Sequence, residues 1–196
     1  MADVYCALLH HPVKDRAGTT VTTAVTTLDV HDIARSALTF GLRGYFVVSP
    51  IEAQHVLIDR VLSHWRTGAG VQRMPERGEA LAICRSARTL AEVCATIESE
   101  TGRAPQLWPT AAAPGAGRAV TEFVDAAKRI QGATSPILIL FGTGHGLADE
   151  VLDDAHLLLE PIAGVADYNH LSVRSAAAIV FDRLLGRSRS PQPDKR

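Results

Sequence analysis

The sequence has few cysteines, and their spacing gives them no framework role. Cys6, Cys84 and Cys94 are an odd number of thiols and form no Cys-x-x-Cys pair. This number and spacing predict neither a disulfide framework nor a structural zinc site. We therefore expect a protein without a metal centre.

Long apolar runs are also missing. No stretch approaches the roughly 20 apolar residues that cross a bilayer. The amino terminus lacks the basic segment, apolar run and cleavage site of a secretory signal. These absences predict a cytoplasmic protein that makes no contact with a membrane.

The sequence has almost no net charge, with 20 basic residues, 21 acidic residues and a formal charge of -1. This balance argues against a uniformly basic nucleic-acid coat but leaves local basic patches possible. Of the basic residues, 17 are arginine and three are lysine. Arginine binds phosphate in a bidentate fork, so the bias is compatible with RNA, although GC-rich coding produces the same bias.

Length and apolar pattern predict one α/β domain. The 196 residues are 46% hydrophobic, which suits a single globular domain over 1–186, followed by a disordered polar tail over 187–196. Strands alternating with helices predict a mostly parallel sheet flanked by helices. The predicted strands are Val4–Leu9, 45–49, 80–84, Gln106–Pro109, 136–141 and 155–159. The predicted helices are 29–41, 51–66, 89–100, 119–130, 148–152 and 171–185, with a loop over 68–78.

The strongest predicted strand ends in a glycine-rich stretch, Phe141-Gly142-Thr143-Gly144-His145-Gly146. Ligands bind at the carboxyl ends of parallel strands, and glycines there let backbone amides approach a ligand closely. The stretch is neither a Walker loop, since no Gly-Lys-Ser/Thr follows, nor a Gly-x-Gly-x-x-Gly loop. It predicts a binding loop, with a tight strand-to-helix turn as the alternative.

A second unusual stretch covers 160–179, where polar residues crowd a helix start and small residues fill its first turns. Helix N-termini present unpaired amides, and small residues let a flat ligand approach. The alternative is a capped helix that packs tightly on the sheet. Three nearby histidines lack metalloprotease spacing and are expected to be hydrogen-bonding or loop residues: His145, His156 and His170.

Three blocks resemble the SPOUT superfamily of knotted methyltransferases. Residues 29–37 with Phe40-Gly41 resemble its Asn-x-Gly-x-Ile-x-Arg-x-Ala block ahead of Phe-Gly. Residues 137–146 are similar to its strand and glycine loop, and 171–179 to its closing Leu-Asn-Val-Ser-x-Ala-x-Ala-Ile helix. The nearest resemblance is to the bacterial SAM-dependent RNA methyltransferases sometimes found joined to a tRNA guanine-N1 methyltransferase.

The resemblance implies a deep C-terminal trefoil knot, a homodimer, and methyl transfer from S-adenosylmethionine (SAM) to tRNA or rRNA. It implies that Arg35 orients or activates the acceptor, with Ser172 and Arg174 as further catalytic candidates. It also implies a SAM site formed by three loops, with these cofactor-binding residues: Thr110, Ala111, Leu140, Phe141, Gly142, Thr143, Gly144, Gly146, Pro161, Ile162, Leu171, Val173 and Ala176.

The sequence departs from the superfamily pattern at three positions. Asp29 and His31 replace the Asn and Gly of the first block, and Ser172 replaces the Asn of the closing block. The acceptor therefore stays open between a ribose 2′-hydroxyl and a base nitrogen. Two alternative functions are a non-catalytic SAM- and RNA-binding protein and an unrelated α/β nucleotide-binding enzyme; the missing phosphate-binding lysine argues against the second.

Overall fold

The computed structural model describes residues 2–67, 69–112, 117–165 and 168–186. The predicted disordered tail, 187–196, lies outside the described residues. The helices are α1 (Thr27–Thr39), α2 (Glu52–Arg66), α3 (Ala69–Arg73), α4 (Pro75–Ala82), α5 (Leu90–Thr101), α6 (Phe123–Gly132), α7 (Asp149–Asp153) and α8 (Val173–Leu185). The strands are β1 (Val4–Leu9), β2 (Val13–Lys14), β3 (Thr20–Val21), β4 (Gly44–Val48), β5 (Cys84–Ala87), β6 (Gln106–Pro109), β7 (Val120–Thr121), β8 (Ile137–Gly142) and β9 (Leu158–Leu159).

Five parallel strands form the central sheet in the order β5-β4-β1-β8-β6. Every residue of β1 and β4 is buried, because helices cover both faces of the sheet. The predicted α/β fold with a mostly parallel sheet is confirmed. Since the strands run in one direction, the ends of β1, β4, β6 and β8 meet at one edge.

Alternate residues of the strands fill two cores. On one face, Leu8 and Phe141 pack with α1, α6 and α8 through side chains such as Ile33 and Phe181. On the other face, Leu9 and its neighbours pack with apolar residues of α5 and α7. Burying one such large apolar side chain contributes about 1.5–3 kcal/mol, so α8 is fixed firmly to the sheet.

The predicted loop over 68–78 is wrong, because this region forms α3 and α4. Pro75 starts α4, where its missing N–H costs nothing. Gly70 is needed for close packing: a Cβ atom there would lie 2.7 Å from a ring carbon of Trp65. The strand predicted at 80–84 starts only at Cys84, because α4 continues to Ala82.

Two other helices begin later than predicted. α6 starts at Phe123 because Val120 and Thr121 pair with β9 instead. α8 starts at Val173 because Ser172 caps it. Within the described ranges, no helix is long and apolar enough to cross a bilayer, and no group of three or more His, Cys, Asp or Glu side chains is placed to hold a metal.

Candidate active site

The loop 142–146, here called the glycine loop, leaves β8 at the edge where the central strands end. The β2–β3 hairpin lies against it through two backbone hydrogen bonds. Lys14 donates its N–H to the Gly146 carbonyl, and His145 donates its N–H to the Lys14 carbonyl, both at 2.9 Å. The glycine loop therefore has a fixed shape, set by the segment that follows β1.

The three glycines of this loop have different surroundings. A Cβ atom at Gly144, where φ is +61°, would lie 2.8 Å from the Lys14 carbonyl oxygen, and one at Gly142 would lie 2.8 Å from the Leu147 nitrogen. At Gly146, where φ is +105°, a Cβ atom would meet no described atom within 4 Å. Gly142 and Gly144 therefore serve the loop's own packing. Gly146 leaves open space on its Cβ side, while its N–H and carbonyl are bonded to Thr143 and Lys14.

A chain of side-chain hydrogen bonds joins β1 to the glycine loop. The Thr143 hydroxyl donates to the Leu9 carbonyl at 3.2 Å and lies 2.5 Å from the Thr23 hydroxyl, which lies 3.0 Å from Nδ1 of His10. If Thr143 donates to Leu9, Thr23 donates to Thr143 and His10 donates from Nδ1 to Thr23. This tautomer, assigned from the network, makes Nε2 of His10 an acceptor.

His10 forms the buried end of this series of hydrogen bonds. Its side chain is 1% exposed, and Nε2 has no hydrogen-bond partner within the described part of the molecule. Burial lowers the pKa of His10 to about 4, against the opposing effect of Asp29. The imidazole is therefore neutral at physiological pH. Sequence reasoning missed His10 and Thr23; the only available signal was a histidine directly after the central strand.

The second predicted donor segment follows β6, the neighbour of β8. The backbone N–H and the hydroxyl of Thr110 both donate to the Leu140 carbonyl, at 2.9 and 3.0 Å. Ala111 follows and is half-buried. The side chains of Leu140 and Phe141 point into opposite cores, and Thr110 already occupies the Leu140 carbonyl, so neither residue offers a free side chain to a ligand.

The third predicted donor segment lies between β9 and α8. The Asn169 side chain donates to the Ile162 carbonyl at 2.9 Å, which closes this stretch into a loop. Pro161 is half-buried and Leu171 is exposed. The other predicted contacts, Val173 and Ala176, are half-buried in the first turns of α8.

The three catalytic candidates differ in what their side chains already do. The Ser172 hydroxyl accepts the Ser175 N–H at 3.2 Å and so acts as the cap of α8. Arg174 pairs with Asp29 at 3.0 Å and with Asp32 at 3.5 Å. Arg35 is exposed and has no ion pair with any described carboxylate.

Arg174 also changes the expected role of the first block. The sequence offers the side-chain oxygens of Asp29 and Asp32 as caps for the first helix. In the structure Thr26 caps α1 and donates its hydroxyl to the Asp29 carboxylate at 2.7 Å. The carboxylate of Asp29 is 8% exposed and bonded to Arg174 as well. The first and third blocks are therefore brought together at the same edge of the sheet as the glycine loop.

The arrangement suits the chemistry of SAM. Its methionine part carries an amine and a carboxylate, and its adenine carries ring nitrogens, all of which backbone N–H and C=O groups recognise. The backbone after β6 and the loop closed by Asn169 supply such groups, and the open space beside the Gly146 Cα atom leaves room for the ligand. The small side chain of half-buried Ala176 leaves space for a ligand at the first turns of α8, whereas Ala177 is buried in the core.

Comparison with known proteins identifies the family. The family model described as SAM-dependent RNA methyltransferase matches residues 3–186. A tRNA (guanine-N(1)-)-methyltransferase of Oleidesulfovibrio alaskensis is 46% identical over 184 residues, which cover 94% of this chain and 42% of that protein. An uncharacterized protein of Aquifex aeolicus is 41% identical over 187 residues, 95% of this chain and 90% of that protein. The chain thus spans about two fifths of the Oleidesulfovibrio relative.

Solved structures share the fold at low sequence identity. The SpoU methyltransferase AviRb of Streptomyces viridochromogenes has a TM-score of 0.59 at 15% identity, covering 93% of this chain and 58% of that one. A probable methyltransferase of Bordetella pertussis has a TM-score of 0.59 at 17% identity, covering 93% and 94%. These similarities confirm the SPOUT fold class, while the knot stays a prediction. With the family match over nearly the whole described domain, the chain belongs to the SAM-dependent RNA methyltransferases.

Proposed function

We propose that this protein methylates one nucleotide of a structured RNA, and that the RNA is a tRNA. The glycine loop carries the proposal: its shape is fixed at the edge of the sheet by bonds to Lys14, and Thr110 is bonded to Leu140 just before it. The choice of tRNA is supported by the name of the Oleidesulfovibrio relative, a tRNA (guanine-N(1)-)-methyltransferase, of which this chain matches only part. An rRNA substrate is the alternative.

In the proposed site, SAM lies across the three segments that the resemblance indicated. Gly146 and the backbone after β6 contact the donor from one side, and Pro161, Ile162 and Leu171 contact it from the other. Thr143 and Gly144 hold the loop in shape through Thr23 and Lys14. This assignment gives the predicted cofactor residues two different roles, contact and positioning.

Methyl transfer from a sulfonium requires alignment of the acceptor and removal of its proton. The methyl group leaves sulfur for an oxygen or nitrogen of the RNA, which yields S-adenosylhomocysteine. Arg35 is the candidate to orient the acceptor, because it is exposed and has no ion pair with a described carboxylate. Ser172 and Arg174 are assigned to positioning, because a helix cap and an ion pair already engage them.

We further propose a homodimer that completes the site, the deep knot typical of the superfamily, and a cytoplasmic location where tRNA is processed. Exposed apolar side chains near the site support the dimer. Tyr168 is 79% exposed, and Leu28 and Leu171 flank the Asp29–Arg174 ion pair. Such side chains near a site mark surfaces that a partner covers. Light scattering after size-exclusion chromatography gives the oligomeric state.

The proposed activity is tested by calorimetric titration with SAM and by transfer of tritiated methyl from SAM to bulk tRNA and bulk rRNA. We expect Arg35→Gln to retain SAM affinity and to lower methyl transfer by about a hundredfold, in the range of a lost charged contact in the transition state. Lys128→Gln is the control, because Lys128 lies on α6 and pairs with Asp125.

The outcomes separate the alternatives. Absence of SAM binding by the native protein, even with RNA present, would overturn the methyltransferase proposal. Binding of SAM and RNA without transfer would support the non-catalytic alternative. Undiminished methyl transfer by Arg35→Gln would mean that Arg35 does not act at the acceptor site, although the proposed activity itself would stand.

A further inference from the structure

A cluster of aromatic and basic side chains lies where α1, α2 and α4 meet. The Trp65 ring stands at its centre. The rings of His31 and His64 meet it edge to face, with centroids 5.6 and 5.2 Å away. The Arg77 guanidinium lies over the Trp65 ring, 4.8 Å from its centroid. This stacking holds the Arg77 head group in one orientation.

The cluster has unused hydrogen-bonding capacity. Nδ1 of His31 and Nε of Arg77 are two of four buried side-chain polar atoms that have no hydrogen-bond partner within the described part of the chain. Buried polar atoms normally find a partner, so these two atoms keep hydrogen-bonding capacity that the described part of the chain does not use.

The positive charge of the cluster comes from its two arginines, Arg35 and Arg77. Burial, Arg77, Arg35 and His64 lower the pKa of His31, with only Asp32 acting in the opposite direction. Asp32 is itself engaged by Arg174 from α8. Neither Arg35 nor Arg77 forms an ion pair with a carboxylate of the described ranges.

The cluster is continuous with the proposed acceptor site. His31 and Arg35 are four residues apart on α1 and so share one face of the helix. α4 packs against both α1 and α2, which places Arg77 beside that face. His64 also lines a shallow groove along α2 with Arg60, Ser63 and the acidic Asp59. Charged side chains therefore extend from Arg35 on α1, across Arg77 on α4, to the surface of α2.

We propose that this surface, formed by His31, Arg35, His64, Trp65 and Arg77, binds backbone phosphates of the RNA and so places the target nucleotide beside the SAM site. The proposal deepens the proposed function and rests on it. Arginine forks match phosphate oxygens, and a guanidinium already held by stacking loses little freedom on binding. RNA is favoured over an acidic protein because the surface adjoins the site that must receive the nucleotide.

Binding to fluorescent bulk tRNA, measured by anisotropy over a series of salt concentrations, tests this surface. We expect Arg77→Gln to weaken binding about tenfold and to lower the slope of log affinity against log salt by about 1, the effect of one lost phosphate contact. Arg77→Lys should keep most of the slope, because it keeps the charge. Arg35→Gln, at an exposed position, should behave like Arg77→Gln.

Arg85→Gln is the matched control. The Arg85 guanidinium also stacks on an aromatic ring, 4.4 Å from the Phe46 centroid, but it is paired with Glu100. The substitution removes the same charge and the same kind of stacking, so we expect tRNA affinity to stay within about twofold of the native value. An equal loss in Arg77→Gln and Arg85→Gln would overturn the proposal in favour of a general charge effect.

Other outcomes are equally decisive. Native affinity and slope in both Arg77→Gln and Arg35→Gln would overturn the proposal. Competition by polyglutamate as strong as that by tRNA at equal charge would favour an acidic protein partner instead. SAM titration of the same preparations separates the two proposals: we expect native SAM affinity in Arg77→Gln, whereas a native protein that binds no SAM contradicts the proposed function itself.

Discussion

The glycine loop and the segment 160–172 both belong to the proposed donor site, but the chain holds them in different ways. The glycine loop is bonded along its length, to the Lys14 backbone and to Thr23 and Leu9. The described part of the segment 160–172 is tied mainly near its ends. Glu160 accepts the Phe123 N–H at 2.7 Å, and Arg174 just beyond it pairs with Asp29.

The glycine loop and the segment 160–172 also differ in the solvent exposure of their surroundings. The segment 160–172 presents Val165, Tyr168 and Leu171 to solvent, whereas the glycine loop is bonded to the buried Leu9 and to the half-buried Lys14 and Thr23. Stretches with few buried apolar contacts open at low free-energy cost. The chain therefore builds one side of the donor site by itself, and we expect SAM or a partner subunit to order the other side.

Gly144→Ala should have the largest effect on the glycine loop. An alanine at φ of +61° costs about 1–2 kcal/mol, and its Cβ atom would lie 2.8 Å from the Lys14 carbonyl oxygen. We expect the free energy of unfolding to fall by about 3 kcal/mol and SAM binding to be lost. Urea denaturation and calorimetric titration measure the two effects.

Gly18→Ala separates backbone strain from steric contact. Gly18 has φ of +83°, and a Cβ atom there would meet no described atom within 4 Å. Its substitution should cost about 1 kcal/mol and leave SAM binding intact. If Gly144→Ala and Gly18→Ala lowered the free energy of unfolding and the SAM affinity by equal amounts, the contact between Lys14 and the glycine loop would not shape the donor site.

His10 should make stability depend on pH. Its pKa is about 4 in the folded protein and near 6.5 when unfolded, so the unfolded chain binds more protons between these values. The folded state should therefore lose about 3 kcal/mol of stability as the pH falls from 6.5 to 4. His10→Asn should remove this contribution, as measured by urea denaturation across that range.

Thr23→Val tests what lowers the pKa of His10. Burial is the leading cause of the lowered His10 pKa, so this variant, which lacks the hydroxyl but keeps the volume, should retain most of the pH dependence. It should nevertheless weaken SAM binding, because Thr143 loses its hydrogen-bonded neighbour. Loss of the pH dependence in Thr23→Val would show that the hydrogen bond, and not burial, sets the His10 pKa.

Buried apolar runs explain which parts of the fold were predictable. The strand Val4–Leu9 has the predicted limits, because continuous burial leaves a plain apolar signal. Gln106–Pro109 also has the predicted limits, although Gln106 and Leu107 are only half-buried. α3 and α4 were missed because Gly70 and Pro75 normally indicate loops. In the structure, Gly70 allows the approach of Trp65 and Pro75 starts a helix.

The site was predictable only where its residues are local in sequence. The glycine loop follows one strand and was visible, whereas Thr23 and Thr143 are 120 residues apart and meet only in the folded chain. Asp29 illustrates the same limit. Helix-capping rules gave its carboxylate a local role, but its partner Arg174 lies 145 residues away.

Arg174→Gln should affect the segment 160–172 more than the glycine loop. The substitution leaves the Asp29 carboxylate, 8% exposed, without its cation; because Arg174 itself is 31% exposed, we expect a loss of about 1–2 kcal/mol. Asp32→Asn, which removes the longer contact at 3.5 Å, should cost less than about 0.5 kcal/mol.

Amide hydrogen exchange locates the effect of Arg174→Gln. Because Arg174 holds the start of α8, its loss should speed exchange in 160–172 and in the first turn of α8. The amides of His145 and Gly146 should keep their native protection, since their acceptors are the Lys14 and Thr143 carbonyls. Equally faster amide exchange in both regions would mean that the glycine loop and the segment 160–172 open as one unit. Neither side of the donor site would then be ordered before SAM binds.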